Sequence, residues 1–91
     1  MINKDSKFKK EDDIIIKKID NESVILNLKS GDYFTLNETG SIIINLLDGK
    51  RDLLSIATRL SSDYGEDIKK TLEDLLIFIK VLHKSKLIAK V

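Results

Sequence analysis

The hydrophobic period changes at Asn37, and this change constrains the fold more than any other feature of the sequence. Before Asn37 the apolar residues come in short, β-branched runs separated by turn residues; after it they recur at helical spacing almost to the C-terminus. A chain of 91 residues has room for one core, burying roughly 60–70% of the surface its unfolded form exposes. The expected class is therefore α+β, with a three-stranded antiparallel sheet followed by three helices.

Ile14, Ile15, Ile16 and Ile19 mark a first strand, Asp20-Asn21-Glu22 a turn, and Val24-Ile25-Leu26-Asn27-Leu28 a second strand. In the second strand Val24, Leu26 and Leu28 share one face, which reads as the core face, with Ile25 and Asn27 on the other. Lys29-Ser30-Gly31-Asp32 makes the next turn, with Gly31 suited to a positive φ, and Tyr33-Phe34-Thr35-Leu36 is the third strand. Phe34 and Leu36 point inward by alternation, leaving Tyr33 and Thr35 toward solvent or a partner. Residues 1–12 are dense in Lys, Asp and Glu with only Ile2 and Phe8 to bury. They read as a flexible charged tail ahead of a single domain over residues 13–91.

Asn37 is a good N-cap for a helix carrying Ile42, Ile43, Leu46 and Leu47, stopped by Asp48-Gly49. Asp52 caps a second helix with Leu53, Ile56, Ala57 and Leu60, ended at Tyr64-Gly65. A third runs from about Glu66 to Lys84, acidic at its start and basic at its end, as the helix dipole favours. Leu87-Ile88-Ala89 then adds a strand or folds back as a tail.

Sixteen Lys and Arg against fifteen Asp and Glu leave a net charge of +1, so no long-range field draws in a polyanion. With no Cys and a single His83, the sequence offers no disulfide, thiolate metal site, iron–sulfur ligand set or thiol nucleophile. Asp12, Asp13, Glu73 and Asp74 read as solvated charges, and His83 as a complement to a helix C-terminus rather than a general base. The expectation is a non-catalytic protein with no cofactor and no metal. The N-terminal residues carry no apolar signal region, and no apolar run approaches the ~20 residues of a membrane span. A cytoplasmic protein follows as the default.

The third helix has more apolar surface than one core needs. At about 100° per residue Ile68, Leu72, Leu75, Leu76, Ile79 and Leu82 form one stripe, whereas Ile77 and Val81 fall outside it with Phe78 on the flank. Two readings follow. Either Leu87-Ile88-Ala89 covers Ile77 and Val81, or a partner does, whether a bound peptide or a second copy in a homodimer. A winged-helix DNA-binding regulator is the rival reading, since three helices after a small sheet permit that topology. Its recognition helix would display Arg, Lys, Asn or Gln, and this helix displays Ile77 and Val81. Nucleic acid is therefore not the expected partner.

Over Gly31–Arg51 the chain resembles the PqqD-like family, the peptide chaperones or recognition elements of ribosomally made, modified peptides. The resemblance rests on Gly31, Tyr33-Phe34, Leu36-Asn37, Thr39-Gly40, Leu46 and Asp48-Gly49, followed by Ile56, Leu60 and a final amphipathic helix. It implies a winged-helix-like domain that binds a precursor's leader segment as an added antiparallel strand, a mode known as β-augmentation. Carried onto this sequence, the edge is Asp32, Tyr33, Phe34, Thr35 and Leu36, and the groove wall is Leu72, Leu76, Ile77, Phe78, Lys80 and Val81. Lys80 or Lys84 would pair with an acidic leader residue. The implied partners are the leader and a separate maturation enzyme. The Gly31–Gly40 tract is most similar to stand-alone recognition proteins of lasso-peptide pathways, where that enzyme is a leader protease. A radical-SAM partner, in pyrroloquinoline quinone or another modified-peptide pathway, is the alternative.

Overall fold

A computed structural model describes residues 1–91. The expected meander forms from β2 (Ile14–Ile19), β3 (Glu22–Asn27) and β4 (Tyr33–Leu36), paired antiparallel in the order β2-β3-β4. The alternation within β3 is the reverse of the expected one. Ser23, Ile25 and Asn27 face the core, whereas Val24 and Leu26 are half-buried and Leu28 is exposed. The cause lies in the turn: the Asn27 side-chain oxygen accepts from the backbone N–H of Lys29 and of Ser30, at 2.9 and 3.3 Å. An asparagine that satisfies its own turn can sit on the core side, and the register follows it. Gly31 takes φ 78°, as the tight connection requires.

The helices are α1 (Glu38–Leu46), α2 (Leu53–Tyr64) and α3 (Ile68–Lys84). Asn37, Asp52 and Asp67 cap them, each accepting from a backbone N–H three residues on. The buried face of α3 is Thr71, Leu75, Ile79 and Leu82, with Ile68 outside it and 38% exposed. Leu75, Ile79 and Leu82 join Ile25, Leu36, Ile44, Leu47, Leu53 and Ile56 in a single core cluster.

A second sheet was not expected. It consists of β1 (Lys7–Lys10), β5 (Asp48–Asp52) and β6 (Ile88–Lys90), ordered β5-β1-β6. The overall architecture is thus α+β with two three-stranded antiparallel sheets and three helices, rather than one sheet followed by helices. The first twelve residues, expected to be a flexible tail, supply the central strand of this sheet. Phe8 is fully buried, with its ring edge-on to His83 at 5.5 Å between centroids. Lys10 reaches Ile44 O at 3.2 Å, placing a cation at the C-terminus of α1. The charged residues around Phe8 conceal the strand in the sequence, because Lys7 and Lys9 alternate with it on the solvent face. β5 is equally polar. Its Asp48 and Asp52 carboxyls are held below their ordinary value of 3.8, chiefly by backbone N–H donors at Arg51 and at Ser55 respectively.

If β1 is structural, Phe8→Ala should cost about 3–5 kcal/mol in denaturant unfolding. A mobile tail would instead leave the midpoint unchanged.

Candidate functional site

β4 is an edge strand, and the register identifies which of its backbone groups have no partner. Asn27 N–H donates to Asp32 O at 2.8 Å, and Ile25 pairs with Phe34 and Ser23 with Leu36. In an antiparallel ladder the hydrogen-bonded residues alternate, so Asp32, Phe34 and Leu36 turn their main-chain groups toward β3. Tyr33 and Thr35 turn theirs outward. Each offers one N–H and one C=O at an open sheet edge. The strand is only Tyr33–Leu36 and ends where Asn37 accepts from Gly40 N–H at 2.8 Å to start α1. This junction fixes the edge against the helices.

Beside that edge lies an open concavity lined by Glu22, Thr35, Leu36, Asn37 and Phe78. It brings together three of the residues expected from the sequence, Thr35, Leu36 and Phe78. Tyr33 is 72% exposed at the far end of the strand, Asp32 is exposed and Phe34 is half-buried beneath. On α3, Val81 follows Phe78 on the same flank at about 100° per residue, with Ile77 just beyond it. Ile77 and Val81 are 63% and 56% exposed. The C-terminal segment does not cover them: Leu87 and Ile88 are buried, and β6 pairs with β1. Leu72, Leu76 and Lys80 lie on the opposite flank of the core stripe. Leu72 and Leu76 are half-buried against the core there, and Lys80 and Lys84 are exposed.

Glu22 and Asn37 line the concavity without having been singled out as site residues. Pairing each strand residue with its neighbours would have found Glu22, which stands next to Ser23 opposite Leu36. A further concavity shares Asn37 and Phe78 with the first. It is floored by Ile43, Leu60 and Leu75 and rimmed by Tyr64, Glu66 and Asp74. Phe78 lines both, and Gly40 leaves room for it: a methyl group on Gly40 would meet Phe78 Cζ at 3.2 Å, and Asn37 Oδ1 and Leu36 Cβ at 3.3 Å. No group of three His, Cys, Asp or Glu side chains is placed to hold a metal ion. No helix is long and apolar enough to cross a membrane.

Alanine at Gly40 gains about 1 kcal/mol of helix propensity but compresses Phe78. In a double-mutant cycle by chemical unfolding, the change on Gly40→Ala should become more favourable by about 1 kcal/mol in a Phe78→Leu background. Additive effects would rule out the contact as the reason for the glycine.

The family model for coenzyme PQQ synthesis protein D (PqqD) matches residues 22–88. The solved structure of TbiB1 in complex with the TbiA(beta) leader peptide is similar to this chain, with TM-score 0.82 and 31% identity over 88% of this chain and 93% of that one. A lasso peptide synthetase B1 complexed with the leader peptide superposes with TM-score 0.82 at 23% identity, over 91% of this chain and 98% of that one. A search of curated proteins gives no match.

Proposed function

Because the chain belongs to the PqqD family, we propose that it binds the leader segment of a ribosomally made precursor peptide and presents it to a separate maturation enzyme. The observation that carries this reading is the pairing of an open edge at Tyr33 and Thr35 with an apolar helix flank that the chain's own termini leave uncovered. The relative with 31% identity was solved with a leader peptide bound, which supports the same reading.

The mechanism is strand addition. An extended peptide lying antiparallel to β4 satisfies the outward N–H and C=O groups of Tyr33 and Thr35, each bond contributing about 0.5–1.5 kcal/mol net. These bonds read no sequence. Selectivity comes from the leader's inward side chains, which meet Leu36, Phe78, Val81 and Ile77, and covering the last two removes exposed apolar surface at about 25 cal/mol per Å². Leu72 and Leu76 brace α3 from the other flank, where Lys80 also lies, and Lys84, which stands next to Ile77 around the helix, offers a charge to an acidic leader residue. The domain needs no turnover of its own. It raises the local concentration of precursor at an enzyme that holds or recruits it. The favoured setting is a lasso-type pathway with a leader protease as that enzyme, in the cytoplasm where the precursor is made. On this reading the fold is winged-helix-like, with β5 between α1 and α2 returning to pair with β1.

The edge can be tested without disturbing the fold. Proline at Thr35 removes an outward N–H, and the ladder to β3 does not use that donor. Thr35→Pro should therefore weaken binding of a fluorescently labelled leader at least ten-fold with little change in melting temperature, and Val81→Glu should do the same from the helix side. Wild-type affinity in both variants would contradict strand addition at β4.

A further inference from the structure

The groove beside β4 does not end at Leu36. It shares Asn37 and Phe78 with the second concavity, a cavity of about 330 Å³ between α1, the end of α2 and the first half of α3. That volume stands at the small end for binding sites and suits a side chain or two rather than a cofactor. The lining has two chemistries. Ile43, Leu60 and Leu75, all buried, give an apolar floor with Phe78 beside it. The charged residues of the rim are Glu66 and Asp74, and no Lys or Arg lines the cavity. Thr71 Oγ1 makes a long contact to Glu66 at 3.5 Å, and none of the chain's four ion pairs involves Glu66. Asp74 meets Lys70 at 3.8 Å, but both side chains are more than half exposed, and a pair so solvated leaves the carboxylate open to a better partner. An apolar floor under two carboxylates fits a long side chain with an apolar stem and a cationic head, which is Lys or Arg.

Strand direction determines which part of a peptide arrives there. β4 runs from Tyr33 to Leu36, so a strand added antiparallel to it has its N-terminal end beside Leu36. Residues ahead of the paired segment therefore pass Asn37 and Phe78 and reach the cavity. The opposite charge stands at the far end of the helix: Asp74 lies in the second turn of α3 and Lys84 is its last residue, about 15 Å further along the axis.

We propose, resting on the reading that the leader joins β4, that this cavity is a cation subsite for a Lys or Arg just N-terminal to the leader's paired segment, and that it sets the direction and register of the added strand. Main-chain bonds at Tyr33 and Thr35 do not by themselves exclude a strand slipped by two residues or one running the other way. A basic residue held at Glu66 and Asp74 excludes both, because a slipped or reversed peptide carries its cation away from the two carboxylates.

The test uses three labelled probes: the leader of the precursor encoded beside this chain, the same leader with each Lys and Arg ahead of the paired segment replaced by norleucine, and one shortened to the paired segment. Norleucine keeps the stem and removes the charge. In low salt the double variant Glu66→Gln, Asp74→Asn should bind the native leader about five-fold more weakly than wild type does, and added salt should narrow the gap. The norleucine leader should bind wild type and variant alike, at the weakened level, so the charge is tested on the unaltered protein as well. A nitroxide at the leader's N-terminus should broaden the NMR signals of residues 64–74 and not those around Lys84; the reverse pattern overturns the assigned direction. Equal binding of the native leader by wild type and variant, full affinity of wild type for the norleucine leader, or a precursor with no Lys or Arg in that flank each overturns the subsite and leaves strand addition standing. Affinity lost on shortening the leader but not on neutralising the carboxylates assigns the cavity to an apolar residue and likewise overturns it. Failure of wild type to bind the leader at all overturns the strand-addition reading and this one with it.

Discussion

An open sheet edge is a constraint before it is a function. The outward N–H and C=O groups of Tyr33 and Thr35 pair with water or with another chain, and long exposed edges invite the wrong chain. Here the edge is only Tyr33–Leu36, closed at one end by the Asn37 cap and at the other by the turn through Gly31. Four residues flanked by a helix start and a turn offer too little for open-ended aggregation. They are enough for a short peptide that also finds apolar contacts across the groove.

The second sheet keeps those contacts available. The C-terminal Leu87-Ile88-Ala89 segment had an alternative, to fold over Ile77 and Val81, and pairing of β6 with β1 removes it. Phe8 holds β1 in the core, and Lys10 ties the same strand to the end of α1. The N-terminal residues thus act at a distance on the groove: by holding the C-terminal strand they leave one flank of α3 bare. Phe78 packs beside Gly40 at the start of α1, next to Asn37 and Leu36, so edge, cap and wall meet at one junction.

Much of this was legible in the sequence because it follows from local chemistry. The meander, three helices and their caps at Asn37 and Asp52 come from residue types acting within a few positions, and the excess apolar surface of α3 from its period. What escaped depends on distant pairing. β1 and β5 are short and charge-rich, and nothing local marks Lys7–Lys10 as a strand; it becomes one because β5 and β6 flank it. The face of β3 is not legible from its apolar residues, because Val24, Leu26 and Leu28 outnumber Ile25, and Asn27 can sit on the core side only through the turn that satisfies its side chain. On α3 the sequence separated Ile77 and Val81 from the core stripe. Only the packing of Phe78 on Gly40 indicates which flank faces the edge strand, and it places Leu72 and Leu76 on the other side.

Strand addition at β4 has a residue-by-residue signature in amide hydrogen exchange. With saturating leader peptide, the Tyr33 and Thr35 amides should become protected, while those of Phe34 and Leu36, already bonded to β3, should change little. Protection of Phe34 and Leu36 without Tyr33 and Thr35, or protection confined to α3, would contradict the account.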